Sequence, residues 1–416
     1  MTRILHFADA HIDIANHGKR DPESGLAVRV LDFLHSLDEI VEAAVQNKVD
    51  CVVFAGDAYK DRNPSPTYQR EWGSRIMRLS KAGIPTLLLV GNHDISPAVG
   101  RAHALAEFKT LNVPHVKILD KPGYYSADDL KPLSRSTNLN FQLIALPWMS
   151  RSEISAHLDL PTRDPEVLYQ AYFQHLKTTL DTWLNQTDPE IPTLLTAHAS
   201  VEGAVYGGER SVSLGSDPVL PLELLTDPRI DYAALGHIHK PQDLNQGQHP
   251  PVIYPGSIER VDFGEAKDAK YYILADLKPG QSQVEWKPLR NIRKFIDLHL
   301  ELESSDRINQ QIMDAMPDQQ DLEDGIVRLV LEYPRSWEPL INEQALLDYA
   351  ESAFEFHLVK RPMMENRLRL PQDQVLGSLS PEDLLNHYWE LTKTPKSERK
   401  ELNQLAGELF DPDPES

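Results

Sequence analysis

Five short motifs gather the residue types that hold divalent metal ions, and each directly follows an apolar, strand-like run. Asp9-Ala10-His11 follows Ile4-Leu5-His6-Phe7, and Gly56-Asp57 follows Val52-Val53-Phe54. Gly91-Asn92-His93-Asp94 follows Leu87-Leu88-Leu89-Val90, His198 follows Leu194-Leu195, and Gly236-His237-Ile238-His239 follows Ala233-Ala234-Leu235. In open α/β sheets the ligand crevice lies beyond the carboxyl ends of the strands, so these segments deliver their polar side chains to one place. Imidazoles, carboxylates and one amide oxygen, with no thiolate, suit Mn²⁺, Fe²⁺ or Zn²⁺. The set reads as a two-ion site, in which a bridging carboxylate holds two cations that activate water and clamp a phosphoryl oxygen. Asp57 is the natural bridge, because Gly56 lets the backbone turn sharply before it. Asn92 offers a neutral oxygen, and His93 is available to protonate a leaving oxygen or steady the transition state. Each motif alone is weak: Asp-X-His is common, the Gly91 segment could be a turn, and His198 alone would read as a structural histidine. Their joint occurrence in this order carries the reading. His6, His17 and His35 have no such partners and read as structural or surface residues.

These residues need an alternating scaffold, and residues 1 to about 285 supply one. Helical patterns run from Val30 to Val45, from Tyr68 to Lys81 with Trp72, Ile76 and Leu79 near one face, and from about His103 to Leu111. The spacing predicts strands at Phe141 to Leu146, at Pro251 to Tyr254 and near Tyr271 to Leu274. Ser150 to Asp188 reads as peripheral helix, with Leu168, Tyr172, His175 and Leu176 as its buried stripe. A second α/β unit spans 290–365. It has a strand from Ile296 to Leu302, a helix from Arg307 to Met316 capped by Asp306, a strand from Ile326 to Tyr333, a helix from Asn342 to Phe354 and a strand from Phe356 to Val359. The last segment, 375–412, reads as two short amphipathic helices. Ser380-Pro381-Glu382-Asp383 opens the first and Thr394-Pro395 the second. Leu384, Tyr388 and Leu391 share one face, and Leu402, Leu405, Ala406 and Leu409 the other helix's apolar face. They cover either their own domain or a partner.

The chain has 416 residues, 41% of them hydrophobic and 25% charged, which fits a globular protein of two or three domains. No apolar stretch is long enough to span a bilayer and no signal sequence opens the chain, so a cytoplasmic location is expected. The single cysteine, Cys51, excludes an internal disulfide and a cysteine-based zinc site, and its apolar setting suggests a buried small hydrophobe. The formal net charge of −21 is the opposite of a DNA-binding footprint. Nucleic acid would need local basic residues, metal ions or a partner to supply positive charge.

Taken in order, the five motifs resemble the calcineurin-like metallophosphoesterase superfamily. Within it the chain resembles the SbcD nuclease family, prokaryotic counterparts of the break-repair nuclease Mre-eleven. The narrower resemblance rests on Ala234-Leu235-Gly236-His237-Ile238-His239-Lys240-Pro241 and on Tyr254-Pro255-Gly256-Ser257-Ile258-Glu259-Arg260 followed by Phe263-Gly264-Glu265. It implies a four-layer α/β/β/α core (residues 1–285), a small α/β capping domain and a C-terminal helix pair. It also implies two Mn²⁺ ions, one on Asp9, His11, Asp57 and His239 and the other on Asp57, Asn92, His198 and His237, with His93 catalytic. The implied activity is 3′–5′ exonuclease on duplex DNA and endonuclease on single strands or hairpins. The implied partners are DNA, a second copy met through the helices at Tyr68–Lys81 and His103–Leu111, and an SbcC-type ATPase bound by the C-terminal helices. Many family members carry a second histidine three residues after the bridging aspartate, and here that residue is Lys60, which could stabilise charge on a phosphorane but shuttles protons poorly. Arg260 and Lys240 are candidate phosphate contacts. Two rival readings remain: a phosphatase for a small phosphoester, and a mainly scaffolding subunit of the ATPase complex.

Overall fold

The computed structural model describes residues 1–16, 19–95, 101–134, 139–162, 164–207, 218–363, 380–391 and 394–410. The chain first lays down β1 (Thr2–Phe7), β2 (Cys51–Phe54), β3 (Thr86–Leu89) and β4 (Val116–Leu119) as parallel neighbours. It then builds a second sheet from β5 (Gly123–Tyr125), β6 (Gln142–Leu146) and β7 (Thr193–His198). A small pair, β8 (Ser200–Val201) and β9 (Val219–Leu220), precedes β10 (Tyr232–Gly236), β11 (Gln242–Asp243) and β12 (Val252–Tyr254). Finally β13 (Tyr271–Leu277) and β14 (Gln283–Pro288) return to the first sheet. The two six-stranded sheets have the orders β14-β13-β1-β2-β3-β4 and β11-β12-β10-β7-β6-β5.

Side-chain alternation makes the layers. Ile4, Cys51, Val53, Leu87 and Leu89 pack with Leu143, Leu194, Tyr232 and Ala234 of the second sheet. The intervening Leu5, Phe7, Val52, Phe54 and Leu88 face the opposite way, onto helices α1 (Val28–Gln46) and α2 (Pro66–Lys81). Strands buried on both faces read as continuous apolar runs, as these do. The outer face of the second sheet, including Ile144, Leu195, Ala233 and Leu235, packs on the helix at Pro165–Leu184 through Leu176, Leu180 and Leu184. The core is therefore α/β/β/α. Cys51 lies buried between the sheets as a free thiol.

His6 is also buried inside this sandwich, away from the ligand candidates. It faces the second sheet, where Nδ1 meets the Tyr232 hydroxyl at 2.9 Å and Nε2 meets the Leu235 carbonyl at 3.1 Å. His35 is exposed, and His17 lies outside the described residues.

Four expectations are corrected. The helix expected at His103–Leu111 is only Ala106–Thr110. The segment from Ser150 divides into helices at Arg151–His157 and Pro165–Leu184. His175 is exposed and faces His157, with Nε2 atoms 3.2 Å apart, so the buried stripe is Leu168, Leu176, Leu180 and Leu184. Asp306 does not cap the helix at Ile308–Ala315; Arg307 occupies that position with φ +54° and no side-chain cap.

The chain packs as two units, the first comprising Met1–Asp297, Leu322–Val327 and Ala353–Glu355. The second holds most of a three-stranded sheet in the order β15 (Phe295–Glu301), β16 (Ile326–Pro334), β17 (Glu355–Met363). Ile308, Ile312, Leu329, Leu331 and Leu346 are buried there, and Asn342 caps the helix at Glu343–Tyr349 through Ala345 N–H at 3.1 Å. The C-terminal helices, Pro381–Leu391 and Lys396–Phe410, join through Trp389 Nε1–H to Asn403 Oδ1 at 2.8 Å and Asn403 Nδ2–H to Asn386 Oδ1 at 2.6 Å. Ser380 caps the first by accepting from Asp383 N–H at 3.2 Å. Tyr388 and Leu405 are exposed and Leu384 and Leu402 half-buried, while the side chains of Leu391 and Leu409 lie outside those described.

The sandwich has a titratable weak point. Burial pushes His6 from its ordinary 6.5 down to about 3, so the folded chain keeps the ring neutral where the unfolded chain takes up a proton. Stability from this residue is complete above 6.5 and falls as pH drops below it, by about 2 kcal/mol at about pH 5. His6→Gln should lose about 2 kcal/mol less than the wild type between about pH 7 and 5, read by urea unfolding in chelator. Equal losses would show that His6 is not the group responsible.

Candidate metal centre

Every ligand candidate stands at or just beyond the carboxyl end of a parallel strand. Asp9 and His11 follow β1, Asp57 follows β2, Asn92 follows β3, His198 ends β7, and His237 and His239 follow β10. The first four ride on one sheet and the three remaining histidines on the other. The turns that aim them use left-handed backbone at Asp9 (φ 50°), His11 (φ 39°), Asp57 (φ 65°) and His237 (φ 100°). Such conformations in non-glycine residues cost roughly 1–3 kcal/mol each and persist where the surroundings enforce them.

Asp94 does much of that enforcing. Its buried carboxylate accepts the main-chain N–H groups of Asp57 at 3.0 Å, Ala58 at 3.0 Å and Gly91 at 2.9 Å, so it ties the Asp57 turn to the Asn92 turn. Gly56 adopts φ +102°, and a Cβ there would stand 2.3 Å from His198 Nδ1. Both the conformation and the close approach require glycine.

Hydrogen bonds on the outer nitrogens fix which way the imidazoles face. His11 Nδ1–H donates to the Tyr59 carbonyl at 3.1 Å, and His239 Nδ1–H donates to Glu265 Oε1 at 2.8 Å. Their Nε2 atoms then present lone pairs to each other across 3.1 Å. His198 Nδ1–H donates to the Ala55 carbonyl at 2.7 Å, which turns Nε2 toward Asn92 Oδ1 at 2.9 Å and Asp57 Oδ2 at 3.3 Å. Asn92 Oδ1 also lies 3.1 Å from His237 Nδ1. Facing lone pairs in a buried site call for a cation between them. The donor atoms form two overlapping groups, Asp9 with His11 and His239, and Asp9 with Asp57 and His198. Asp9 thus belongs to both groups, and Asp57 reaches toward His11 at 3.9 Å as well as His198. The residues fit a pair of cations.

The charges respond to this crowding. Burial raises Asp9 to about 6 and Asp94 to about 7. Burial also pushes Asp57 up, but the facing His198, His93 and His11 rings outweigh it and hold Asp57 well below the usual carboxylate range. For His198, burial lowers the imidazolium, and Asp57 and Asp9 raise it to about 9. A proton on His198 Nε2 therefore takes the place that a cation would fill. Burial lowers His11 well below its ordinary value and His237 to about 3, leaving both neutral and ready to coordinate.

His93 sits apart from the donor ring. Its main-chain N–H donates to Asp57 Oδ1 at 2.8 Å, and its Nδ1–H donates to the Lys60 carbonyl at 2.7 Å, which leaves Nε2 outside both bonds. Asp13 anchors the Lys60 turn by accepting from the N–H groups of Lys60 and Asp61. Lys60 contributes its carbonyl to His93, while its exposed ammonium is close enough to lower His11 and His93 electrostatically. Lys240 is half-buried next to His239. Arg260 departs from the expected phosphate contact. Its guanidinium donates to the carbonyls of Glu265 at 3.2 Å, Arg293 at 2.7 Å and Asp268 at 3.0 Å, which makes it a brace of the loop behind His239.

That loop holds the residues sequence reasoning missed. Glu265 is buried and accepts from His239, from Lys270 Nζ at 2.5 Å and from Val261 N–H at 3.1 Å, with Ser257 Oγ 2.9 Å away. Lys270, buried at the head of β13, keeps Glu265 ionised against the cost of burial. Glu265 and Asp94 both lie in quoted motifs, but only their contacts reveal their work; nothing near Lys270 in sequence marks it.

Residues 2–241 match the calcineurin-like phosphoesterase family. The chain belongs to that family. It is similar to the SbcD polypeptide of the nuclease SbcCD from Bacillus subtilis, 25% identical over 287 residues that cover 68% of each chain. It is also similar to "DNA double-strand break repair protein Mre11" of Archaeoglobus fulgidus, 25% identical over 327 residues covering 76% of this chain and 65% of that one. A third relative is "Uncharacterized metallophosphoesterase YhaO" of Bacillus subtilis, 24% identical over 275 residues covering 65% and 56%. The chain thus has the fold and the candidate metal clusters of a metal-dependent phosphoesterase, and its relatives include a nuclease subunit and a DNA double-strand break repair protein. No helix among the described residues is long and apolar enough to cross a membrane.

Two substitutions probe the centre. Glu265→Gln should weaken divalent-metal binding by about 10- to 100-fold in calorimetric titration, because a neutral partner makes His239 a poorer donor. Gly56→Ala should lower both metal affinity and melting temperature, since the new Cβ and His198 cannot share the space. Unchanged affinity in Glu265→Gln would show that His239 does not depend on its carboxylate.

Proposed function

We propose that this chain is a Mn²⁺-dependent DNA nuclease of the SbcD type. It acts as a 3′–5′ exonuclease on duplex ends and an endonuclease on single strands or hairpins, in break repair and with an SbcC-type ATPase. The carrying observation is the pairing of a buried two-group donor set with a histidine that is oriented but uncommitted at one nitrogen. Two divalent cations, one on Asp9, His11, Asp57 and His239 and one on Asp57, Asn92, His198 and His237, would polarise a phosphoryl oxygen and acidify water. His93 Nε2 then faces the leaving oxygen for proton transfer, with the Lys60 carbonyl holding Nδ1–H and setting the ring angle. The Lys60 ammonium stabilises negative charge gathering on the phosphoryl group, and Lys240 meets a flanking phosphate.

The names of two of the relatives, a nuclease subunit and a DNA double-strand break repair protein, support nucleic acid, and DNA in particular, as the substrate. The net charge of −21 fits a division of labour in which bound cations and the ATPase supply much of the attraction for DNA. The exposed Tyr388 and Leu405, with Leu384 and Leu402, form the face of the helix pair that takes the ATPase, and the core helices pair two copies in the cytoplasm.

The deciding experiment is cleavage of labelled duplex and hairpin DNA by the purified chain in Mn²⁺, beside His93→Ala and Asp57→Ala. Both variants should lose at least about 100-fold in rate, His93→Ala keeping its metal affinity and Asp57→Ala losing it. Lys60→Ala should slow turnover about tenfold, and unchanged turnover removes Lys60 from the reaction. No DNA cleavage by the wild type with an SbcC-type partner present, beside turnover of a small phosphoester, would replace this reading with the phosphatase.

A further inference from the structure

A cavity of about 740 Å³ opens beside the metal centre, and Trp148 belongs to both. The indole lies 5.1 Å from the His237 ring at 33° and 6.2 Å from the His198 ring. Its main-chain N–H donates to the Val90 carbonyl at 3.0 Å, and Val90 leads directly into the Gly91-Asn92-His93-Asp94 turn. Both residues also line the cavity, so its inner wall is the outer wall of the metal centre. The helix at Pro165–Leu184 adds Tyr172 and Trp183, and Met149 completes a largely apolar lining. Exposed Arg101 and Lys121 stand among the lining residues.

We propose that this cavity receives an unstacked nucleobase of the strand whose phosphodiester lies at the metal centre. The inference rests on the nucleic-acid reading of that centre and names where the nucleoside goes. The volume is that of a small-ligand pocket, larger than a bare phosphate or a methyl ester needs. Aromatic walls offer what every base accepts, a π-face to stack on, without demanding a sequence. Arg101 and Lys121 in the lining suit the phosphates on either side of the inserted nucleotide, with Asp120 and Glu153 in the same wall left to face its sugar hydroxyls or base edge. The position suits the chemistry too: a base leaning on Trp148 fixes its own sugar and phosphate near His237, His198 and the His93 turn. Single strands and frayed ends lose least stacking on entry, so such a pocket favours them over intact duplex.

Ala156 tests this without touching the metal centre, because it lines the cavity from an exposed position on the Arg151–His157 helix. Ala156→Trp fills the space, and Tyr172→Leu removes an aromatic wall while keeping bulk. The full chain is titrated in Ca²⁺ with a single-stranded oligonucleotide containing 2-aminopurine, and cleavage in Mn²⁺ is run in parallel. The wild type should quench the 2-aminopurine emission on binding. Ala156→Trp should abolish the quench and raise Kd about tenfold, and Tyr172→Leu should weaken both. A full quench with wild-type Kd in Ala156→Trp overturns the proposal, as does wild-type binding with no quench or no binding at all. Binding and quench without cleavage in Mn²⁺ supports the base site and counts against the nuclease reading alone.

Discussion

The centre of this molecule is organised around a repulsion. Two imidazole lone pairs, on His11 and His239, confront each other at 3.1 Å in a buried site, and the Nε2 of a third ring, His198, faces an amide oxygen and a carboxylate. Without a proton or a cation none of these contacts is favourable, because each sets electron-rich atoms together away from water. The surrounding fold nevertheless enforces them, through outer hydrogen bonds to Tyr59, Glu265 and Ala55 and through four left-handed residues among the ligand candidates. A cation would turn the His11–His239 repulsion into an attraction and take the place of the proton on His198 Nε2. The protein has therefore spread the unfavourable work of assembling the site across its folding, so that binding needs little rearrangement.

Support of the site extends outward in buried polar steps. Asp94 ties together the turns that follow β2 and β3. Lys270 and Ser257 surround Glu265, which steadies His239, and Arg260 staples the same loop to three carbonyls. Beyond it, the buried Arg29 of α1 reaches Asp32 at 2.6 Å and the Arg260 carbonyl at 2.6 Å. A buried charge is tolerable only when it is paired, so each step obliges the next. The chain from His239 to α1 is the result, and it explains why a helix of the outer layer bears on a histidine beyond the end of β10.

Much of this is legible in the sequence because the information is local. Strand-end position follows from an apolar run and the polar motif after it, and Asp9, His11, Asp57, Asn92, His198, His237 and His239 all show themselves that way. Helices α1 and α2 announce themselves by periodicity, with Trp72, Ile76 and Leu79 buried on the expected face. What escapes is information carried by contacts between distant residues. Lys270 has no local signature, and Arg260 has the look of a phosphate contact until its carbonyl partners are seen. His175 matches a buried stripe in spacing, yet the helix turns that position toward His157 and water. Asp306 has the right chemistry for a cap one residue too early, because Arg307 takes up the left-handed entry itself.

The donors divide between the two sheets, with Asp9, His11, Asp57 and Asn92 on one and His198, His237 and His239 on the other. Neither layer carries a complete shell. A slip of half an ångström between the layers changes every distance across the seam at once, while distances within a layer stay fixed. Two bound cations would thus depend on the registry of the layers. A substitution that shifts one layer against the other would change the donor distances across the seam and leave those within each layer intact.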